Sequence, residues 1–178
     1  MKTEPALIIF VASLSASLQE RILKWEKGFK FLPVRWLSGK NLHLTIVPPW
    51  YEDDIEGSRD KLRDLAGKFR QMDLNFTQVE FGPTMRQPRL IWVRGEVNKE
   101  LIALKEAVDR AFKKNSPKRQ FIPHFTLARF RSEDFVDFKI KELDETVFWI
   151  NKASSIVIMQ AHLSPKGADY EIIEAINL

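Results

Sequence analysis

Residues 41–50, NLHLTIVPPW, place a histidine two positions before a threonine inside an apolar run. Residues 122–130, IPHFTLARF, repeat this arrangement with His124 and Thr126. In a β-strand, residues i and i+2 point to the same face. Each segment is therefore expected to present an imidazole and a hydroxyl side by side, with its apolar residues turned toward a core.

The paired motifs suit an in-line displacement at phosphorus. An imidazole titrates near neutral pH, so one histidine can accept a proton from a nucleophile while the other protonates a leaving group. A threonine hydroxyl can donate a hydrogen bond to a phosphoryl oxygen. For a single histidine a structural role would be the commoner interpretation, but two matched pairs favour catalysis. His43, Thr45, His124 and Thr126 fill these roles, and we predict no metal and no other cofactor.

The composition limits the classes of protein that the chain can belong to. Its 178 residues, with 44% apolar residues, suit one domain over 1–178 with a sizeable core. The absence of cysteine excludes disulfides, a thiolate metal site and a cysteine nucleophile. A net charge of +4 weakly favours a polyanionic partner.

The N-terminal segment needs to be distinguished from a signal peptide. Glu4 and Pro5 interrupt the basic region, and the apolar run that follows is short, so residues 6–12 are interpreted as a buried strand. Ser17 and Glu20 form a predicted capping box for the next helix. The chain contains no apolar run of membrane-spanning length, and we expect a cytoplasmic protein without membrane contact.

The hydrophobic periodicity predicts a mixture of strands and helices. A strand, a helix and a strand with the His-x-Thr motif occur in this order twice, which predicts two similar lobes around a shared cleft. Pro48 and Pro49 are expected to end the second strand, Asn98 is a candidate N-cap, and residues 132–145 remain unassigned. The predicted strands are 6–12, 42–47, 74–81, 89–97, 124–130, 154–163 and 169–176, and the predicted helices are 17–29, 52–70 and 98–114.

Several stretches together resemble the two-histidine (2H) phosphoesterases, and in particular the LigT-like RNA 2′,3′-cyclic phosphodiesterases, also called 2′-5′ RNA ligases. The resemblance spans nearly the whole chain, and the paired motif at this spacing is its most specific part. The stretches are HLTI at 43–46, HFTL at 124–127, ALIIFVA at 6–12, FGP at 81–83 followed by RLIWV, LARF at 127–130 and AHLSPKGADYEII at 161–173.

The resemblance implies a single α+β domain of two similar, interleaved lobes. They are related by a pseudo-twofold axis, with antiparallel or mixed sheet, helices on the outside and both motifs in a central cleft. It implies a monomer that hydrolyses the 2′,3′-cyclic phosphate at an RNA end to a 2′-phosphate. Some members also join tRNA halves through a 2′-5′ bond without ATP.

The resemblance also implies roles for individual residues. His124 would be the base that activates water and His43 the acid, although the sequence does not fix this assignment. Thr45 and Thr126 would hold the phosphoryl oxygens. Arg129 would lie near the phosphate only if the strand bends or bulges after Thr126, and a surface arginine is the alternative.

The chain departs from the family after the first motif, where VPPWYEDD at 47–54 replaces the usual stretch. Trp50 and Phe130 are candidate base-stacking residues, and core packing is the alternative for Phe130. Arg131, with Lys40, Arg86 and Arg89, is a candidate track for RNA phosphates. His162 is interpreted as a residue at the rim of the cleft.

Other functions stay open at the level of sequence. The substrate can be an RNA end, a small cyclic nucleotide or a 2′-5′ oligonucleotide. A binding module without catalysis is an alternative of another class, against which the two intact motifs argue. A metal hydrolase is the weakest alternative, because three scattered histidines without a spaced carboxylate make a poor ligand set.

Overall fold

The structure is a computed structural model that describes residues 6–114 and 121–178, with only the backbone of residues 6–11. Residues 1–5, which bear on the signal-peptide question, lie outside the described residues. Three α-helices and nine strands alternate along the described chain. The strands are β1 (Ala6–Ala12), β2 (Arg35–Trp36), β3 (Leu44–Glu52), β4 (Met72–Gly82), β5 (Leu90–Gly95), β6 (His124–Arg129), β7 (Asp144–Ala153), β8 (Ser155–Ser164) and β9 (Gly167–Asn177).

The helices begin at side-chain caps. The helices are α1 (Ala16–Glu26), α2 (Ile55–Ala66) and α3 (Lys99–Ala111). Asn98 caps α3 as predicted, because its side chain accepts a hydrogen bond from the Leu101 amide. The predicted capping box at Ser17 is wrong: Ser15 caps α1 and accepts from the Leu18 amide at 3.3 Å.

The nine described strands form one sheet in the order β7-β4-β5-β6-β3-β1-β8-β9, with the short β2 also paired to β6. Each pairing is antiparallel, so the sheet has no parallel component among the described strands. The order is symmetric about the β3–β6 junction, with four strands on each side. This symmetry matches the repeat found in the sequence, and the predicted α+β class is confirmed.

The helices cross between the two halves of the sheet. α1 follows β1 in the chain but packs against β7 in the other half, and α3 follows β5 but packs against β3. Their apolar residues, among them Leu18, Ile22 and Leu104, are fully buried in one continuous core. The exchange of helices ties the halves together and holds the β3–β6 junction at the middle of the fold.

The expected end of the strand at Pro48 and Pro49 is wrong. β3 continues through Pro48 and Pro49 to Glu52. It tolerates both prolines because its ladder to β6 is confined to Leu44 and its ladder to β1 is irregular between Val47 and Trp50, so neither proline is paired. Residues 132–145, left unassigned, contain a 3₁₀ turn at Ser132–Asp137 and the start of β7.

Candidate active site

The two His-x-Thr motifs meet at the centre of the sheet. The single pairing between β3 and β6 joins Leu44 to Phe125, the middle residues of the two motifs. Both side chains are fully buried, so the flanking histidines and threonines face the opposite side. Because the strands are antiparallel, this register places His43 beside Thr126 and Thr45 beside His124.

Both imidazoles are anchored in the same way. Nδ1 of His43 donates to the carbonyl oxygen of Asn41 at 2.7 Å, and Nδ1 of His124 donates to that of Ile122 at 2.8 Å. A carbonyl oxygen can only accept, so the proton of each neutral ring is on Nδ1. Each Nε2 is therefore left with its lone pair free for proton transfer.

An aromatic ring packs edge-on against each histidine. Tyr170 of β9 lies 4.5 Å from His43, and Trp92 of β5 lies 4.9 Å from His124, measured between ring centroids. Trp92 is fixed by a hydrogen bond from its Nε1 to Glu80 at 3.1 Å. Gly82 makes room for this indole, since a Cβ there would lie 2.6 Å from Trp92 Nε1. The rings limit the rotation of both imidazoles.

Burial lowers the pKa of His43 and of His124, because a charged imidazolium loses hydration in this site. The hydrogen bonds to Asn41 and Ile122 act in the opposite direction and only partly offset that effect. The positive charge of Arg129 lowers both pKa values further, and His43 also feels His124. The lowered pKa values favour the neutral form of both imidazoles.

A β-bulge follows the second motif. Thr126 pairs with Trp92 and Ala128 with Ile91, which leaves Leu127 without its own partner on β5. Leu127 and Ala128 are both buried, so the alternation of the strand is broken and Arg129 returns to the face of Thr126. The bulge that the prediction for Arg129 required is therefore present.

The first motif carries a bulge at the equivalent position. Thr45 pairs with Val11 and Val47 with Phe10, so Ile46 is the extra residue. Ile46 and Val47 are both buried, as in the second motif. Pro48 consequently occupies the place that Arg129 has in the other half.

An apolar cavity of about 440 Å³ opens beside the motifs. Thr45 and His124 of the two motifs line this cavity. Of the described residues that line it, Lys105 is the one with a charged side chain. Its other lining residues are Ile46, Pro48, Pro83, Thr84, Trp92, Phe121 and Ile122. The volume and the apolar walls suit a ring system of the size of a nucleobase.

The model of the 2′-5′ RNA ligase superfamily matches residues 15–162. The chain belongs to this superfamily. An RNA 2′,3′-cyclic phosphodiesterase from Methanocaldococcus jannaschii is 24% identical over 93% of this chain and 98% of its own length. The crystal structure of LigT from E. coli complexed with 3′-AMP is 25% identical and has a TM-score of 0.71, over 98% of this chain and 99% of that one.

A protein of Thermus thermophilus shares the fold, with a TM-score of 0.79 at 16% identity over 97% of both chains. The predicted resemblance to the 2H phosphoesterases is confirmed. No described helix is long and apolar enough to cross a membrane. Within residues 6–114 and 121–178, no cluster of three histidine or carboxylate side chains is arranged to hold a metal ion.

Trp50 is the first of the predicted substrate-binding residues. The predicted strand ended before this residue, but Trp50 lies within β3, seven residues beyond His43. Its Nε1 donates to Glu52 at 3.1 Å, and its ring lies 5.9 Å from that of Phe112 and under the Lys114 ammonium group. This placement offers no support for base stacking at the 2H motifs.

Phe130 and Arg131 lie just beyond Arg129. Phe130 packs in a cluster with Phe81, Phe135 and Phe138, as its alternative role in the core predicted. Arg131 is exposed and binds Asp134 through two hydrogen bonds, which raise the pKa of its guanidinium. Both residues also line a second cavity that begins at Arg129.

The remaining cations of the predicted phosphate track differ in their surroundings. Lys40 binds Asp169 at 2.7 Å, and Arg86 is exposed without a described contact. Arg89 is close enough to Arg129 to lower its pKa, after the larger effect of burial. The track is thus reduced to Arg89 near the motifs.

His162 lies outside the cleft. It is exposed and binds Glu171 at 3.1 Å on the β8–β9 hairpin. Its partner across the hairpin is Asp169, whereas the next residue, Tyr170, contacts His43. Neighbouring residues of a strand face opposite sides, so His162 points away from the two motifs.

Several residues near the 2H motifs had no signal in the local sequence pattern. Tyr170 is an ordinary aromatic residue of the predicted strand 169–176, and Asn41 precedes the first motif without a pattern of its own. Asn41 uses its carbonyl oxygen for His43 and its side-chain oxygen to accept from the Tyr170 amide at 3.1 Å. It thereby couples β9 to the first histidine, a long-range contact that only the fold reveals.

Proposed function

We propose that this protein hydrolyses the 2′,3′-cyclic phosphate at an RNA end to a 2′-phosphate, with His43 and His124 as acid and base and without a metal. The observation that supports it most is the matched pair of imidazoles, each with Nδ1 bound to a backbone carbonyl and Nε2 free. The name of the M. jannaschii relative supports the choice of an RNA 2′,3′-cyclic phosphate, and the 3′-AMP complex of E. coli LigT supports a nucleotide.

The reaction needs one protonated and one neutral imidazole. Nε2 of His124 takes a proton from water, whose oxygen forms a bond to phosphorus. The bond between phosphorus and the 3′-oxygen breaks, and Nε2–H of His43 gives its proton to that oxygen. One proton is accepted and one is donated, so the product is a 2′-phosphate with a free 3′-hydroxyl.

The negative charge that develops on phosphorus is met by fixed donors. The Thr45 and Thr126 hydroxyls bind the non-bridging oxygens from the two sides of the junction. Arg129 adds a positive charge whose field reaches both histidines. When the anionic substrate binds, it offsets this charge and favours the protonated imidazole that the acid step requires.

The apolar cavity beside His124 would hold the terminal base. Thr45 and His124 line it, so a base in the cavity leaves the attached ribose and cyclic phosphate next to the motifs. Trp92 and Pro48 supply flat walls against which a base can stack. This arrangement supports a nucleotide rather than a small aliphatic diester.

The test is an assay in EDTA on a short RNA that ends in a 2′,3′-cyclic phosphate, with the product identified by mass and by its 2′- or 3′-phosphate position. Wild-type protein should form the 2′-phosphate. His43→Gln and His124→Gln should each lower kcat by roughly 10²–10⁴-fold.

His162→Gln is the matched control, because the third histidine is exposed and points away from the motifs. It should keep wild-type activity. Absence of turnover by folded wild-type protein, loss of activity in EDTA that added metal restores, or an equal loss in the control would each overturn the proposal.

A further inference from the structure

A second cavity, of about 430 Å³, is lined by Arg129, at the opposite end of β6 from the His124 that lines the apolar cavity. It lies between the end of β6, the short strand β2 and the β8–β9 turn. Its lining residues are Pro33, Arg35, Arg129, Phe130, Arg131, Asp134, Pro165, Lys166 and Gly167. Arg35 and Lys166 come from two segments distant in sequence, and both lie beside Arg129, the arginine that follows the second motif.

The charge of this cavity is strongly positive. Three arginines and one lysine line it, against a single carboxylate, Asp134. Asp134 is already neutralised by two hydrogen bonds from Arg131. Arg35, Arg129 and Lys166 form no ion pair with any carboxylate in the described part of the chain. Elsewhere Arg59, Arg63 and Arg94 are all held by glutamates.

The guanidinium of Arg35 is held in this cluster by the backbone. β2 pairs Arg35 directly with Arg129, which brings two like charges to opposite positions. Gly167 packs on the Arg35 guanidinium, since a Cβ there would lie 2.5 Å from Nη2, and its φ of +112° also favours glycine. The two guanidinium groups repel each other, and a bound anion would offset this electrostatic cost.

Arg129 connects the cavity to the two histidines. Its charge acts on His43 and His124, and the positive charge of Arg35 in turn acts on Arg129. Arg129 also lies on the face of Thr126 and lines the cavity, so the cavity adjoins the second motif, where the phosphate is proposed to bind. In an RNA that ends in a cyclic phosphate, every other phosphate lies on the 5′ side of the terminal nucleotide.

We propose that Arg35, Lys166 and Arg129 form a subsite for the 5′-phosphate of the terminal nucleotide, so that a cyclic nucleotide with a 5′-phosphate is preferred over one without it. This inference rests on the proposed function. Guanidinium groups bind phosphate oxygens through paired, charge-assisted hydrogen bonds. The base in the apolar cavity and the 5′-phosphate in the cationic one would fix the terminal nucleotide from two sides.

The experiment compares two substrates that differ only in this group: adenosine 2′,3′-cyclic phosphate with and without a 5′-phosphate. For the wild-type protein, kcat/KM should be about 10–100-fold higher with the 5′-phosphate. The ratio between the two substrates should fall as salt rises, because the contact is electrostatic. A ratio near one, with clear turnover of both substrates, would refute the subsite and leave the phosphodiesterase intact.

Arg35→Gln should reduce the substrate ratio toward one. Lys166→Gln should reduce it in part, and this exposed turn residue can be replaced without disturbing the contact between Gly167 and Arg35. Arg21→Gln is the matched control, because Arg21 lines a separate cavity beside β7. It should keep the wild-type ratio. A ratio unchanged in both test variants would overturn the assignment, whereas no turnover of either substrate by wild-type protein would instead count against the proposed function.

Discussion

The two halves of the cleft have the same backbone and different side chains around it. Each half has a histidine bound through Nδ1 to the carbonyl two residues earlier, a threonine on the same face and a bulge directly after it. At the next exposed position the halves diverge, with Pro48 in one and Arg129 in the other. Pro48 borders an apolar cavity, and Arg129 borders a cationic one.

This difference separates two requirements of the proposed reaction. The proton transfers need two equivalent groups on opposite sides of a phosphate, and the symmetric backbone supplies them. The substrate itself has no such symmetry, because a nucleotide has a base on one side and phosphates on the other. The asymmetric cavities can therefore set the direction in which the substrate lies across a symmetric pair of histidines.

The largest expected effect separates the roles of the two histidines. On a cyclic phosphate, His43→Ala and His124→Ala should both lose about 10²–10⁴-fold in kcat. On an aryl phosphodiester, whose leaving group departs without a proton, loss of the acid matters far less. His43→Ala should then retain activity within about tenfold of wild type, while His124→Ala stays inactive.

The reverse pattern would exchange the roles of the two histidines and leave the rest of the proposal standing. Equal losses for both variants on both substrates would mean that the halves are not specialised as acid and base. The comparison needs the His162→Gln protein as a reference on both substrates.

Removal of the two threonine hydroxyls should cause a smaller loss of activity than removal of a histidine. Thr45→Val and Thr126→Val keep the β-branched shape that suits a strand and remove the hydrogen-bond donor. Each should lower kcat by on the order of 10²-fold, with little change in KM, if both hydroxyls act on the developing charge. Thr77→Val, on β4, is the control and should retain full activity. Unequal losses from the two motifs would show that the symmetry of the backbone does not extend to phosphate binding.

Arg129→Gln should change the pH profile as well as the rate. The arginine lowers the pKa of both histidines, so its removal should raise both. In the wild-type protein the bell-shaped profile of kcat/KM should have its maximum on the acid side of neutrality. In Arg129→Gln the whole profile should move to higher pH, with a loss of about 10–100-fold at the maximum.

A profile that loses height without moving would contradict the electrostatic link between Arg129 and the histidines. Arg131→Gln is the control, because its guanidinium is bound by Asp134 and none of the pKa shifts of the histidines is caused by it. It should leave the position of the maximum unchanged.

Local patterns were sufficient to predict the motifs and most elements. The His-x-Thr pairs and the repeated order of strand, helix and strand follow from the spacing of residues. The need for a bulge before Arg129 follows from the family resemblance, which implies that this arginine lies near the phosphate. The strand through Pro48 was missed because it depends on pairing: a proline is tolerated where the neighbouring strand has already diverged. The capping residue of α1 was displaced by two positions because several serines compete there.

The two cavities could not be predicted from spacing. Arg35, Arg129 and Lys166 come from three segments, and Tyr170 reaches His43 across the β9 edge of the first half. Such contacts depend on the order of strands in the sheet, which a single sequence does not encode locally. The surroundings of Trp50 could not be predicted either, since no spacing in the sequence indicates that its ring contacts Phe112 and Lys114.

The smallest expected effect concerns the aromatic rings, which differ between the halves. Burial is the largest cause of the lowered pKa of His43, and the Tyr170 ring supplies part of it. Tyr170→Leu should therefore raise the pKa of His43 toward its ordinary value, whereas Tyr170→Phe, which keeps the ring, should not. The pKa of His124, which packs against Trp92 instead, should stay unchanged in both variants.

The measurement is an NMR titration of the imidazole resonances, which reports on both halves in one sample. A shift of His43 alone would show that each ring acts on its own histidine. Equal shifts of both histidines in Tyr170→Leu would instead show that the two sites titrate as one unit. In that case the aromatic rings would be part of a shared environment, and the asymmetry of the cleft would begin only at Pro48 and Arg129.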